Sequence, residues 1–346
     1  MQLNDVNLRV AISPKCNMDC IYCEGAKGYS SSQLGTMDDF RKSPLKNGCI
    51  STETLLAIIK TFHEVGFVGL TLTGGEPLLN KDWDMIVKGA SNIGMLRVEI
   101  NTNGSVINDY LDEKATLPKE LTLVKISLDT HDPERFKTIT RGGNLADIIK
   151  AVRRISPLVK TRANKVLMRN DLGGLVKYFN FCHEIGFQEI NLLDLVYHSN
   201  LNSLEGKNFF EKEYVSFSEV KKYFFKNLRI DFNELNKYGH SLTLPSGMKI
   251  IMKDSNTAVR CENCLDCPVY CQEGIYTVRI ATDGNITFCP DFKGELPSIN
   301  GPFELENGTL KKTIKLLASK INSAKKIGSF KNYADRHDLL LKRITY

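Results

Sequence analysis

The sequence predicts an α/β fold, a partial (β/α)6 TIM-like barrel with a small C-terminal α+β unit, and three observations predict it. Strand-like and helix-like segments alternate over the first two-thirds of the 346 residues. Such alternation argues for a parallel sheet with helices outside it, and six units fall short of the eight that close a full barrel. After about Leu195 the alternation loosens, and the remainder carries a dense cysteine cluster and a hairpin pattern.

In chain order, Val6 to Ser13 reads as the first strand. Leu55, Leu56, Ile58, Ile59 and Phe62 form a helical apolar stripe, opened by the cap candidates Ser51 and Thr52. Phe67 to Thr73, Leu96 to Asn101 and Leu121 to Leu128 read as strands, with helices expected near Trp83 to Ser91 and Leu145 to Ile155. Lys165 to Met168 looks extended, Leu172, Leu175, Val176 and Phe179 make a helical stripe, and Gln188 to Leu193 is the sixth strand. The polar stretch from His198 to Lys212 reads as a linker or loop. A hairpin is expected from Tyr276 to Phe288, turning at Asp283-Gly284-Asn285, and a lysine-rich helix near Leu310 to Lys326. The boundaries expected are residues 1–210 for the barrel, 211–330 for the second unit and 331–346 for a tail.

Composition narrows the function classes. Forty-two per cent apolar and a quarter charged residues are ordinary globular values. No apolar run reaches the length of about 18 residues that a membrane span needs, and the N-terminus lacks the pattern of a signal peptide, so a cytoplasmic location is expected. The net charge of +6 from 46 basic and 40 acidic residues mostly describes a solvated surface. No basic run is interleaved with aromatics, so nucleic acid is not an expected partner. Of the ten cysteines, eight fall in two short clusters, which in a reduced compartment points to metal binding or redox chemistry rather than disulfides.

The first cluster, Cys16-Asn17-Met18-Asp19-Cys20-Ile21-Tyr22-Cys23, follows directly on the first strand. A [4Fe–4S] cluster usually takes four cysteines; three leave one iron open to an outside ligand. The alternative on spacing alone is a zinc loop, which needs a fourth ligand. C-x3-C-x2-C with an aromatic before the last cysteine resembles the signature of the radical S-adenosylmethionine (SAM) superfamily. Arg9-Val10-Ala11-Ile12-Ser13 leading into Cys16 resembles the entry strand of its molybdopterin-precursor branch, whose type member cyclises GTP. Thr73-Gly74-Gly75-Glu76-Pro77-Leu78 resembles the family's GGEP motif, Asn101-Thr102-Asn103-Gly104 its third-strand TNG, and Ser127-Leu128-Asp129 its fourth-strand SLD. Each lies at the C-terminal end of a predicted strand, the face where barrel active sites form.

This resemblance implies that Cys16, Cys20 and Cys23 hold a [4Fe–4S] cluster whose open iron is chelated by SAM. It places Gly74 and Gly75 against the methionine part, Glu76 at its ammonium, Tyr22 by the adenine, and Thr102, Asn103 and Ser127 on ribose or carboxylate. The cluster would deliver one electron to the sulfonium, and the 5′-deoxyadenosyl radical would take a hydrogen atom from substrate. An external electron donor of the flavodoxin or ferredoxin type is implied.

The second cluster comprises Cys261, Cys264, Cys267, Cys271 and Cys289. C-x12-G-x4-C from Cys271 through Gly284 to Cys289 resembles the hairpin of the superfamily's "twitch" auxiliary-cluster domains. A second, auxiliary [4Fe–4S] cluster on Cys264, Cys267, Cys271 and Cys289 is expected, with a structural zinc as the alternative. Cys261 is the spare, a swapped ligand or a catalytic hydrogen donor facing substrate. Cys182 reads as core, and Cys49 stands alone before a helix.

The chain also departs from the cyclase pattern. Arg9 and Arg279 match basic residues of that enzyme's substrate site, and Arg162 and Lys165 add candidate anion contacts. The two cations of the strand into GGEP are replaced by Gly69 and Thr71, the sixth-strand arginine by Asn191, and a hairpin arginine by Thr277. Each lost charge-assisted phosphate contact forfeits about 1.5–3 kcal/mol. The expectation is therefore a small polar substrate (a sugar, aminocyclitol or nucleoside) undergoing oxidation, epimerisation or cyclisation. The alternative is a maturase acting on a ribosomal peptide; behind these stand the GTP cyclase itself and a non-catalytic iron–sulfur or zinc protein.

Overall fold

The computed structural model describes residues 3, 6–23, 49–195, 204–230, 240–253, 277–282, 284, 286–287 and 308–327. Its strands are β1 (Asn7–Ser13), β2 (Gly69–Gly74), β3 (Arg97–Thr102), β4 (Leu123–Ser127), β5 (Thr161–Val166), β6 (Glu189–Leu193), β7 (His240–Thr243), β8 (Lys249–Lys253), β9 (Thr277–Ile280) and β10 (Ile286–Thr287). They form one sheet in the order β10-β9-β1-β2-β3-β4-β5-β6-β8-β7. From β9 through β8 every neighbouring pair is parallel; the outermost strands β10 and β7 pair antiparallel. The fold is thus the mixed α/β, mostly parallel sheet that the sequence predicts, extended at both edges by strands from beyond residue 210.

The helices are α1 (Thr52–Val65), α2 (Trp83–Ile93), α3 (Ile107–Lys114), α4 (Pro133–Thr140), α5 (Leu145–Ile155), α6 (Leu175–Ile185), α7 (Leu204–Glu213), α8 (Phe217–Leu228) and α9 (Thr309–Ile327). Ser51 caps α1 by accepting from Thr54 N at 3.1 Å, and Gly66 ends it in a left-handed conformation, φ 109°. One side of each strand packs outward under these helices. Leu8, Val10, Leu70, Leu72, Ile100, Ile126, Ile190 and Leu192 share a core with Ile58 and Phe62 of α1, Ile148 and Val152 of α5, and Tyr178 and Phe179 of α6. Because successive strand side chains alternate faces, the intervening residues line the barrel lumen.

Several elements differ from their expected places. β5 occupies Thr161–Val166 rather than Lys165 to Met168; its alternation of Arg162, Asn164 and Val166 with buried partners is a half-polar strand, which an apolar-run reading passes over. The stretch read as a linker contains α7, anchored by Phe210. Val176 faces out, and the buried stripe of α6 runs Leu175, Tyr178, Phe179, Cys182, Ile185. Lys165 is buried on the helix side, over the Tyr178 ring, and bonds Asp129 O and Asp171. It is a structural cation rather than an anion contact. Among the described residues no helix is long and apolar enough to cross a membrane.

Candidate active site

The first cysteine loop leaves the C-terminal end of β1 and hangs on α4. Asp19 N donates to Thr140 O at 3.1 Å and Ile21 N to Ile139 O at 3.0 Å. Beneath it, Gly75 N donates to Ser13 O at 2.8 Å and Glu76 N to Lys15 O at 2.7 Å. A Cβ on Gly74, φ 141°, would lie 2.3 Å from Ser13 O, and one on Gly75 would lie 2.3 Å from Lys15 O. A Cβ at either position would therefore strike neighbouring backbone, that of β1 at Gly74 and that of the cysteine loop at Gly75, so both positions require glycine.

Glu76 is fully buried, and its carboxylate accepts from Thr102 Oγ1 (2.7 Å), Leu78 N (3.1 Å) and Asn103 N (2.7 Å). Burial pushes its acid up to about 7 against these hydrogen bonds. Its oxygens serve three protein donors, so Glu76 and Thr102 brace the end of β2 against the end of β3. Asn103 reaches the loop itself. Its amide donates to Asn17 Oδ1 at 2.8 Å and to the Cys16 sulfur at 3.8 Å, and Asn17 in turn donates to Ser105 Oγ at 2.8 Å.

Tyr22 donates to Asp129 Oδ2 at 2.5 Å, and Asp129 Oδ1 accepts from Val166 N at 2.7 Å. Burial, with Asp129 beside it, pushes the Tyr22 phenol well above its ordinary range. The ring also packs beside Leu195 and Phe210. The third residue of the Ser127-Leu128-Asp129 motif thus fixes the loop's tyrosine, a role the sequence reading did not assign it. Ser127 itself stands exposed at the mouth.

These residues fit a site-differentiated cluster. Cys16 and Cys23 are exposed and Cys20 is half-buried. Burial, then the neighbouring Cys23, Asp129 and Cys16, push the Cys20 thiol up, so iron rather than a protein cation would hold these sulfurs as thiolates. Among the described residues no three His, Cys, Asp or Glu side chains gather around a single ion; a cubane instead spreads three cysteines over three irons. Cys182 is buried core, as expected, and the Cys49 sulfur faces Ile12 O at 3.8 Å. Cys261, Cys264, Cys267, Cys271 and Cys289 lie outside the described residues.

Below the mouth, the lumen is polar. Arg9 on β1 stands beside Arg279 on β9 and Thr71 on β2. Thr71 donates to Glu99 Oε2 at 3.1 Å, and Lys125 pairs with Glu99 while donating to Thr71 Oγ1 at 3.4 Å. Burial works against the Glu99 charge, but Lys125, then Arg162 and Thr71, outweigh it and hold the carboxyl below its ordinary range. Arg162 donates from Nε to Glu189 Oε2 at 2.7 Å, and Lys160 pairs with the same carboxylate at 2.5 Å. Arg162 is thus bound within a protein ion pair.

Residues 10–171 match the radical SAM superfamily. A GTP 3′,8-cyclase of Limosilactobacillus fermentum is 32% identical over 225 residues, covering 62% of this chain and 59% of that one. A probable GTP 3′,8-cyclase of Saccharolobus solfataricus is 27% identical over 292 residues, covering 82% of each. Among solved structures, Streptococcus suis SuiB bound to S-adenosylmethionine matches with a TM-score of 0.58 at 16% identity, over 90% of this chain and 67% of that one; the likeness is one of fold. Residues 10–171, which hold the cysteine loop and the motifs at the ends of β2, β3 and β4, are what this chain shares with the radical SAM superfamily. The relatives point to the molybdopterin-precursor cyclase branch of that superfamily. The chain spans less than two-thirds of the length of the first relative it matches.

These relatives overturn the expectation of a sugar, aminocyclitol or nucleoside substrate, since they carry the name of GTP cyclases. That expectation rested on Gly69, Thr71, Asn191 and Thr277 standing where the cyclase pattern has cations. The Arg97 guanidinium from β3 lies 2.6 Å from where a Gly69 Cβ would be, and Lys125 from β4 reaches Thr71. Neighbouring strands set cations over both positions that β2 leaves neutral.

Proposed function

We propose that this chain is a radical SAM enzyme of the GTP 3′,8-cyclase type, with Cys16, Cys20 and Cys23 holding the SAM-binding cluster. One observation carries the reading: the cysteine loop is clamped by Gly75, Glu76 and Asn103 over a lumen whose β1–β9 wall sets Arg9 beside Arg279. When bound, the cluster and SAM supply one-electron cleavage to a 5′-deoxyadenosyl radical. The protein's part is to fix the loop, shield the reacting atoms from water and hold the substrate's phosphates with Arg9 and Arg279.

Residues 211–330 are read as the auxiliary unit, its hairpin β9–β10 seated beside β1 with Gly284 at φ 86°, and Cys264, Cys267, Cys271 and Cys289 as ligands of the second cluster. The electron donor is read as a flavodoxin or ferredoxin type and the compartment as cytoplasmic.

Anaerobic reconstitution with iron, sulfide, reductant, SAM and GTP tests this. About eight irons per chain are expected, with 5′-deoxyadenosine formed and GTP consumed. Cys16→Ala, Cys20→Ala or Cys23→Ala abolishes the SAM reaction while Cys49→Ala retains it. About four irons per chain, all lost in Cys16→Ala, would remove the second cluster, and unconsumed GTP would remove the substrate.

A further inference from the structure

We infer that the row Ser127–Asn164–Asn191 on the lumen wall is a recognition site for an uncharged polar group presenting a hydrogen-bond donor beside an acceptor. The three residues sit at one level on adjacent strands, Ser127 paired with Asn164 and Asn164 with Asn191. Their strand neighbours Ile126, Ala163, Ile190 and Leu192 lie in the helix-side core, which turns the row toward the lumen. Asn191 Nδ2 donates to Asn164 Oδ1 at 2.8 Å. Asn191 is 1% exposed, yet its Oδ1 has no partner among the described residues.

The conclusion does not depend on how either amide is turned. One hydrogen bond between two carboxamides always leaves an acceptor on one and a donor on the other. A buried amide oxygen without a partner is costly, so the row favours a ligand that completes it. Ser127, exposed, ends the row at the C-terminal end of β4.

The uncharged carboxamides of the row suit a neutral group. The level beneath it holds Lys125, Arg162 and Glu189, each in an ion pair: Lys125 with Glu99, and Arg162 and Lys160 with Glu189. Each cation of this wall thus already faces a carboxylate of the protein, and Arg9 and Arg279 stand on adjacent strands at the opposite flank of the sheet order. Phosphate belongs to that flank and the uncharged part of the ligand to the amide row. In the purine nucleotide of the reading above, on which this inference rests, two groups have the required chemistry: the lactam edge of an oxopurine and the vicinal diol of ribose.

Isothermal titration of GTP, ITP, ATP and 2′-deoxy-GTP into the reconstituted, SAM-loaded protein separates them. A site built to hydrogen-bond a group rejects the analogue lacking it, here by about tenfold or more. ATP weaker than both GTP and ITP by that margin assigns the row to the lactam, and 2′-deoxy-GTP weaker than GTP assigns it to ribose. In Asn191→Leu, with iron content and circular dichroism unchanged, that gap is expected to shrink to about threefold or less. Should Asn191→Leu fail to fold, Asn164→Ala at its half-buried position gives the same reading. A wild-type protein that binds all four alike, or a gap that persists in the variant, overturns the inference while leaving the nucleotide reading standing. Failure of the wild type to bind any of them overturns the nucleotide reading and the inference together.

Discussion

Gly75 has no room for a methyl group, because the carbonyl of Lys15 lies 2.3 Å from where its Cβ would be. The obstacle is backbone of the cysteine loop, so relief requires moving that loop. Gly75→Ala is expected to cost about 1–3 kcal/mol in a denaturant titration and to lower the iron retained on reconstitution. Gly173→Ala, where nothing lies within 4 Å, is expected to stay within about 0.5 kcal/mol of wild type. At this scale the sequence was most legible. Cys16, Cys20, Cys23, Glu76, Asn103 and Ser127 all converge on one mouth, because short motifs at strand ends place residues without reference to distant chain. Roles were less legible. That Glu76 serves Thr102 and Asn103, and that Asp129 anchors Tyr22, depend on contacts 26, 27 and 107 residues apart.

Strands that are buried on their outer face read clearly as apolar runs, which is why β1, β2, β4 and β6 were found near their places. β5 was displaced because Thr161–Val166 alternates polar with buried residues. α7 was missed because a polar segment anchored by Phe210 looks like a linker. The amide row was invisible for a deeper reason: alternation assigns a face, but only the pairing register sets Ser127, Asn164 and Asn191 side by side. Register also creates the Lys125–Glu99 pair that bridges β4 and β3. Glu99→Gln leaves the Lys125 ammonium buried, and about 3–5 kcal/mol of stability is expected to go; Glu99→Leu with Lys125→Met should recover most of it. The folded-state acid of Glu99 is held below its unfolded value, so its contribution is present at neutral pH and fades as pH falls through the folded value. Chemical denaturation should accordingly show the Glu99→Gln penalty shrinking in acid, below about pH 4.

Across the whole molecule, the sheet is extended at both of its edges by strands from beyond residue 210. β8 and β7 extend the sheet beyond β6, while β9 and β10 extend it beyond β1. The expected boundary at residue 210 therefore separates stretches of sequence whose strands share one sheet. This arrangement sets Arg279 beside Arg9 although 270 residues separate them in sequence number, and it brings the hairpin that precedes Cys289 to the strand that leads into Cys16. The same sheet thus carries Arg9 and Arg279 on one flank and the row Ser127, Asn164 and Asn191 on the other, the two features on which the nucleotide proposal stands.

The most direct measurement uses GTP carrying deuterium at C3′. Joining C3′ to C8 requires removal of the hydrogen at C3′, so the isotope should appear in the 5′-deoxyadenosine released by the wild-type protein and be absent, with the product itself, in Cys23→Ala. Unlabelled 5′-deoxyadenosine, formed at the same rate whether or not GTP is present, would contradict the account.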